Sequence, residues 1–221
     1  MPQQHHLPDI LPREPMPLFA SWFEEALRNK VQPNPDAMVL ATIGESGRPA
    51  ARVVLCKRIE VEPGYIVFFT NYRSRKGREL AANPVAATVF HWDQLHRQVR
   101  IEGRVVTSPA EESDRYFASR AVDSRVGAWA SEQSEPLASR DLLAERVREA
   151  AARFGVTPGA ASGEVPRPPH WGGYRLWIES IELWIEGPNR VHDRAVWKRT
   201  LVPDGESAFS AGEWEATRLY P

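Results

Sequence analysis

The sequence is poor in the residues from which compact metal and redox centres are built. One of its 221 residues is cysteine, Cys56, which excludes an internal disulfide and any cysteine-based metal site. It contains no H-E-x-x-H and no C-x-x-C, and His91 and His96, five apart, have a poor metal spacing. The nucleotide-binding signatures G-x-x-x-x-G-K-[ST] and G-x-G-x-x-G are missing, as is a G-x-S-x-G elbow. No apolar run reaches the roughly 18 residues that a membrane helix needs. The opening stretch "MPQQHHLPDILPREPMP" has neither a basic n-region nor an apolar h-region, so it does not read as a secretory signal. A formal net charge of -1 argues against a general role on nucleic acid or polyanionic surfaces. Together these absences predict a soluble, cytoplasmic protein with no metal, nucleic-acid or membrane partner.

What is present is a good core: 42% of residues are hydrophobic and 26% charged, enough for one large domain or two small ones. Residues 1–16 read as a flexible lead-in and 17–221 as the domain. "PLFASWFEEALRNKV" places Phe19, Trp22, Phe23, Ala26 and Leu27 on one helical stripe. The period then changes: "AMVLATI", "AARVVLCKRIEV" and "YIVFFTN" are β-rich runs, and 37–71 reads as a strand meander broken by "GESGRP" and "EPG". A short helix follows from about Ser74 to Ala82, then strands in "PVAATVFHW" and "RQVRIEGRVVTS". Helices are expected in "SPAEESDRYFASR" and "SRDLLAERVREAAARFG", and "VTPGAASGEVPRPPHW" is a loop. The remainder is again β. Many strands, few helices and no βαβ alternation predict a closed antiparallel barrel, mainly β with inserted helices (α+β).

Four stretches carry cations in unusual places. In "NRVHDRAVW" Arg190, His192 and Arg194 recur at every second position, so an extended strand would turn all three to one face. In "TNYRSRKGREL" Ser74 is a plausible N-cap, putting Arg75 and Lys76 in the first helical turn. That is the positive end of the helix dipole, where cations make sense if an anion sits there; two solvated surface charges are the alternative. In "DRYFASRAVDS" Tyr116, Arg120 and Ser124 are spaced by four. They share one face if the helix runs that far, and all three are good donors to a phosphate monoester. An ordinary helix surface with a half-buried Tyr remains open. In "ARVVLCKRI" Arg52 and Lys57 are an odd number apart, so a regular strand would send them to opposite sides.

Taken in order, the runs "RVVLCK", "VFFTNYRSRKGREL", "RQVRIEG", "YFASR", "DSRVGAWASEQS", "WGGYR", "ELW", "NRVHDR" and "RLYP" resemble pyridoxine/pyridoxamine 5'-phosphate oxidases over roughly residues 10 to 221. The resemblance implies an FMN-binding split β-barrel, homodimeric, with two flavin sites at the subunit interface. It implies oxidation of pyridoxine or pyridoxamine phosphate to pyridoxal phosphate, with O2 as acceptor. Carried over by position, Arg52, Val53, Val54, Leu55, Cys56 and Lys57 would run along the flavin, followed by Phe69 and Thr70. Arg75, Lys76, Gln98, Gln133, Ser134, Trp184 and Arg194 would complete the FMN site, partly from the second subunit. Lys57, Tyr116, Arg120 and Ser124 would clamp the substrate phosphate. Arg190 and His192, with Val191 between them, would lie over the pyridine ring as the catalytic pair. Two departures stand out: the stretch before "LPREPMPLF" lacks the Arg/Tyr pair of a closing segment, and Phe69 stands where some members have Tyr. Related oxidases of phenazine biosynthesis, and non-catalytic binders of pyridoxal phosphate or flavin, are the other classes sharing such phosphate sites.

Overall fold

The computed structural model describes residues 6–157, 159–205 and 207–221. Helix α1 (Met16–Asn29) buries Met16, Phe19, Trp22, Phe23 and Ala26, and stops at Lys30 in the left-handed conformation (φ 49°). Leu27, expected on the buried stripe, is 41% exposed; its angular position falls at the edge of the contact with the sheet. The core face of α1 meets the sheet through aromatic rings, with Phe19 and Phe23 lying 5.4 and 5.9 Å from Phe90.

The strands are β1 (Ala37–Ile43), β2 (Pro49–Glu60), β3 (Tyr65–Asn71), β4 (Val85–Trp92), β5 (Arg97–Thr107), β6 (Trp171–Ile185), β7 (Asp193–Lys198), β8 (Leu201–Pro203), β9 (Phe209–Ala211) and β10 (Glu215–Leu219). They pair in the order β10-β7-β6-β3-β2-β1-β4-β5, and β5 returns to β6. Six strands thus close an antiparallel barrel, mainly β as expected, with β7 and β10 extending it. Period-two burial builds the core: Met38, Leu40 and Thr42 point inward while Val39 and Ile43 are exposed. The closure of β5 onto β6 carries a bulge at Glu102/Gly103. A Cβ at Gly103 would lie 1.8 Å from the Trp177 carbonyl, so glycine is required there.

Four more helices sit outside the barrel: α2 (Arg75–Ala82), α3 (Ala110–Ser119), α4 (Val122–Ala130) and α5 (Arg140–Arg153). α4 and α5 share a small second core of Val122, Val126, Ala130, Ala150, Ala151 and Val165. Among the described residues no helix is long and apolar enough to cross a membrane.

The lead-in expected to be flexible is docked from Leu7 onward. Leu7 is 2% exposed, and its N–H donates to Asp193 at 2.8 Å. Trp197 Nε1 donates to the Pro12 carbonyl (2.8 Å) and Arg218 to the Pro8 carbonyl (2.6 Å). These partners lie near the far end of the chain, beyond the reach of a local reading. Residues 1–5 lie outside the described residues.

Candidate active site

The barrel is split along one line. β2 pairs with β3 only through Cys56–Phe68, Arg58–Val67, Ile59–Ile66 and Glu60–Tyr65, with a register shift at Lys57. Before Cys56, β2 pairs with β1 alone; beyond Phe68, β3 pairs with β6 alone. Cys56 N–H donates to the Asp36 carbonyl on the β1 side (2.8 Å). By alternation, the N–H and C=O of Val53 and Leu55 face the split.

A cavity of about 360 Å³ opens there. Arg52, Val53, Val54, Leu55 and Lys57 line it from β2, and Phe69 and Thr70 from β3. Lys76, Tyr116, Arg120, Gln133 and Trp171 complete the wall. The odd spacing of Arg52 and Lys57 does not separate them, because the register shift re-aims the strand at Lys57. The Cys56 side chain instead points into the core, where burial pushes its thiol up to about 12, and Cys56 is not among the residues lining the cavity.

Ser74 caps α2 as the sequence predicts, accepting from Gly77 N–H (3.3 Å). That cap turns Lys76 inward. Lys76 is 9% exposed, and its ammonium reaches Gln133 Oε1 (2.7 Å), Thr70 Oγ1 (3.0 Å) and Ser74 Oγ (3.3 Å), all neutral. Burial, reinforced by the nearby Arg52 charge and opposed by Glu79, pushes it down to about 8. Arg52 and Arg75 are already matched, each 2.8 Å from a carboxylate oxygen of buried Glu79. Burial pushes the Glu79 carboxyl up, but bonds from Thr42, Arg75 and Arg52 outweigh it and hold it below its ordinary value. Of these three cations, Lys76 is the one left without a carboxylate. The Gln133 carbonyl, accepting from Lys76 and from Thr70 (3.2 Å), leaves its NH2 free to donate.

Flat rings form another wall. Phe69 and Tyr116 stack at 4.0 Å and 15°, and Trp171 lies nearly parallel to both. The Arg120 guanidinium sits 4.7 Å over Trp171. Its Nη1 is buried with no hydrogen-bond partner, and burial lowers its pKa. A buried guanidinium donor left unpaired is costly unless a ligand acceptor meets it. Lys57 holds Asp36 at 2.6 Å. Tyr116, Arg120 and Ser124 do not share a helix face: α3 ends at Ser119, Arg120 and Ala121 are extended, and Ser124 lies exposed in α4. The Ser119 hydroxyl bonds back to the Tyr116 carbonyl (2.8 Å), competing with continuation of the helix.

A second group of sequence-predicted residues lies away from this cavity. Gln98, Trp184 and Arg194 are register partners across β5, β6 and β7. Arg194 bonds Glu182 (2.9 Å) and the Tyr220 carbonyl (3.0 Å). Ser134 follows Gln133 on an exposed loop, with φ 77°. Arg190, His192 and Arg194 do not share a strand face. β7 starts only at Asp193, and Pro188–Arg190 is a 3-10 turn in which Asn189 and Arg190 are left-handed (φ 54° and 64°). "GPN" is a turn-former run that was readable against the alternating pattern. Arg190 and Val191 are exposed; His192 Nδ1 accepts from Gly187 N–H (3.2 Å) and its ring lies 4.7 Å from Trp184. Sequence reasoning missed Trp171, Thr42, Asp36 and Glu79; only the i,i+4 pair of Arg75 with Glu79 carried a local signal, and the other contacts are long-range.

Two family models match. Residues 23–154 match the model described as pyridoxamine 5'-phosphate oxidase, and 171–221 the model described as the pyridoxine 5'-phosphate oxidase C-terminal dimerisation region. A pyridoxine/pyridoxamine 5'-phosphate oxidase of Burkholderia mallei is 54% identical over 213 residues, covering 96% of this chain and 91% of the relative. One from Burkholderia thailandensis is 53% identical over the same span. Among solved structures, PhzG from Burkholderia lata 383, in complex with tetrahydrophenazine-1-carboxylic acid, superposes with a TM-score of 0.80. It is 31% identical and covers 96% of this chain and 98% of its own. A pyridoxamine 5'-phosphate oxidase-related, FMN-binding protein of Nostoc punctiforme has a TM-score of 0.66 at 15% identity, covering 93% and 97%; it shares the fold.

Proposed function

The chain belongs to the pyridoxine/pyridoxamine 5'-phosphate oxidase family, and on that premise we propose that it oxidises pyridoxine and pyridoxamine 5'-phosphates to pyridoxal 5'-phosphate, in the cytoplasm. O2 is reduced to H2O2, and the amine substrate also takes up water and releases ammonia. The observation that carries this reading is a pair of cations with no carboxylate partner, buried Lys76 and half-buried Arg120 with its unpartnered Nη1, in one cavity walled by parallel aromatic rings. Such a cavity suits flat molecules bearing phosphate.

The described residues fit FMN. Lys76, with Arg75 and Arg52 beside it, would hold the flavin phosphate. The free backbone groups of Val53 and Leu55 and the Gln133 amide would meet the ring's polar edge. FMN supplies the acceptance of two electrons and their delivery to oxygen. Lys57, Tyr116, Arg120 and Ser124 would bind the substrate phosphate, fixing the far end of the ring so that its reacting carbon is held in place. Arg190, Val191 and His192 would cover the pyridine ring, Arg190 through a planar guanidinium that stacks as well as bonds. Stacked Phe69, Tyr116 and Trp171 exclude water from one side.

Gln98, Ser134, Trp184, Arg194 and the Arg190–His192 turn would reach the site from a second subunit. Two features support a homodimer: the dimerisation-region match over 171–221, and an apolar outer face. There Val53, Val39 and Val89 stand in register, as do Ala51, Ala41 and Ala87, and Val53 is 65% exposed. A second reading, a phenazine-type oxidase, draws on the similarity to PhzG. Aerobic incubation with each phosphate ester, following aldehyde and peroxide together, tests the proposal. Equimolar appearance of both is expected; flavin-loaded protein that turns over neither ester would favour the second reading.

A further inference from the structure

Building on the proposed oxidase, we infer that Gly187 is a positioning residue whose N–H fixes His192 as the tautomer protonated on Nε2, so that His192 meets the substrate ring as a neutral hydrogen-bond donor. A backbone N–H can only donate, so His192 Nδ1, 3.2 Å from Gly187 N, carries the lone pair. In a neutral imidazole the proton is then on Nε2. A protonated ring would set N–H against N–H and break this bond.

The turn is built to hold that contact. Val191 N–H donates to the Pro188 carbonyl (3.0 Å), and the left-handed Asn189 and Arg190 bring the chain back on itself. The return passes so close that a Cβ on Gly187 would lie 1.8 Å from the Val191 carbonyl oxygen and 2.8 Å from its carbon. At φ -117° the Gly187 backbone itself suits any residue; the requirement for glycine comes from this approach. Trp184 backs the imidazole at 4.7 Å. On the other side of His192, Asp193 is pinned by Leu7 N–H (2.8 Å) and Arg218 (2.6 Å). The imidazole is therefore held through its Nδ1, through its face and through the strand that follows. Nε2–H is left to donate, and the natural acceptor is the hydroxyl oxygen of the substrate ring. Gly187 touches neither substrate nor flavin and acts only through His192.

The test combines a spectroscopic and a kinetic arm. Long-range 1H–15N correlation spectra of flavin-free protein at about pH 8, where an ordinary imidazole is neutral, report the tautomer directly. His192 is assigned by its loss in His192→Gln. Wild-type protein should show a pyridine-like Nδ1 and a pyrrole-like Nε2, and Gly187→Ala should mix the tautomers. A proton on Nδ1 in wild type, which needs no variant to observe, overturns the inference, as does an unchanged tautomer in folded Gly187→Ala. In flavin-loaded protein, His192→Gln places an amide near the Nε2 position and should lower kcat/KM by about tenfold, whereas His192→Asn, which replaces only Nδ1, should lower it by about 100-fold. Equal losses, or a better Asn variant, overturn the donor role. Wild-type protein that oxidises neither ester would count against the proposed function, and the spectra would still decide the role of Gly187.

Discussion

If Lys76 holds the flavin phosphate as proposed, flavin affinity should depend on pH. In the flavin-free chain its ammonium is buried among neutral oxygens and pushed down to about 8. Proton loss there removes the one cation in this corner that no carboxylate neutralises. If only the protonated form holds the flavin phosphate well, affinity follows the protonated fraction, about nine-tenths at pH 7 and about one-tenth at pH 9. Raising the pH over that interval should weaken FMN about tenfold, or about 1.4 kcal/mol, with about one proton taken up per flavin bound at the upper end. The same depressed pKa makes the flavin-free fold gain stability as pH rises from about 8 toward the unfolded lysine value, since there the unfolded chain binds the extra proton. FMN fluorescence quenching at a series of pH values measures the affinity. Calorimetry in buffers of different ionisation enthalpy counts the proton. Lys76→Gln should bind FMN weakly with a flat profile. An affinity independent of pH in wild type, or a slope that survives in Lys76→Gln, would refute the reasoning.

Glu79→Gln leaves Arg52 and Arg75 without their shared carboxylate and should cost about 3 kcal/mol in denaturant titrations. Because burial is outweighed and the Glu79 carboxyl lies below its ordinary value, its stabilisation is complete above the unfolded carboxylate range and lost as pH falls through the folded value. The variant should therefore show a shallower acid limb, and wild-type stability in the variant would contradict the network. Gly103→Ala, driving a methyl into the Trp177 carbonyl, should lower stability by about 2 kcal/mol; an unchanged thermal midpoint would mean the bulge is not needed. Mixing inactive Lys76→Gln chains with inactive Arg194→Ala chains should restore part of the activity if each site draws on two subunits, and no recovery after subunit exchange argues against sharing. Arg190→Ala should keep its flavin and lose about 100-fold in kcat/KM; flavin loss in that variant would move Arg190 to the cofactor.

The barrel was legible because its signals are local. The β-rich runs "AMVLATI" and "YIVFFTN", the punctuation of "GESGRP", and the Ser74 cap each act within a few residues, and the structure uses them so. The site was legible only as a set of residue types. Nothing around Glu79 says that its carboxylate will serve Arg52 across 27 positions, and nothing near Leu7 announces Asp193. Two local readings went astray where competing bonds decided. At Arg120 a serine back-bond and an extended backbone end the helix. Before Asp193 the Gly-Pro-Asn turn defeats the alternating pattern, although the alternation of cations suggested a strand.

The split in the barrel gives β2 two characters at once. Between Arg52 and Leu55 its amides alternate between a neighbour and an opening: those of Arg52 and Val54 point to β1, those of Val53 and Leu55 to the cavity. Hydrogen exchange along this stretch should therefore beat with a period of two, slow and fast by turns, within a strand that passes from β1 as its partner before Cys56 to β3 from Cys56 onward. A ligand in the cavity would slow the fast members alone, so occupancy would be written as a flattening of the alternation, with the already slow members unmoved.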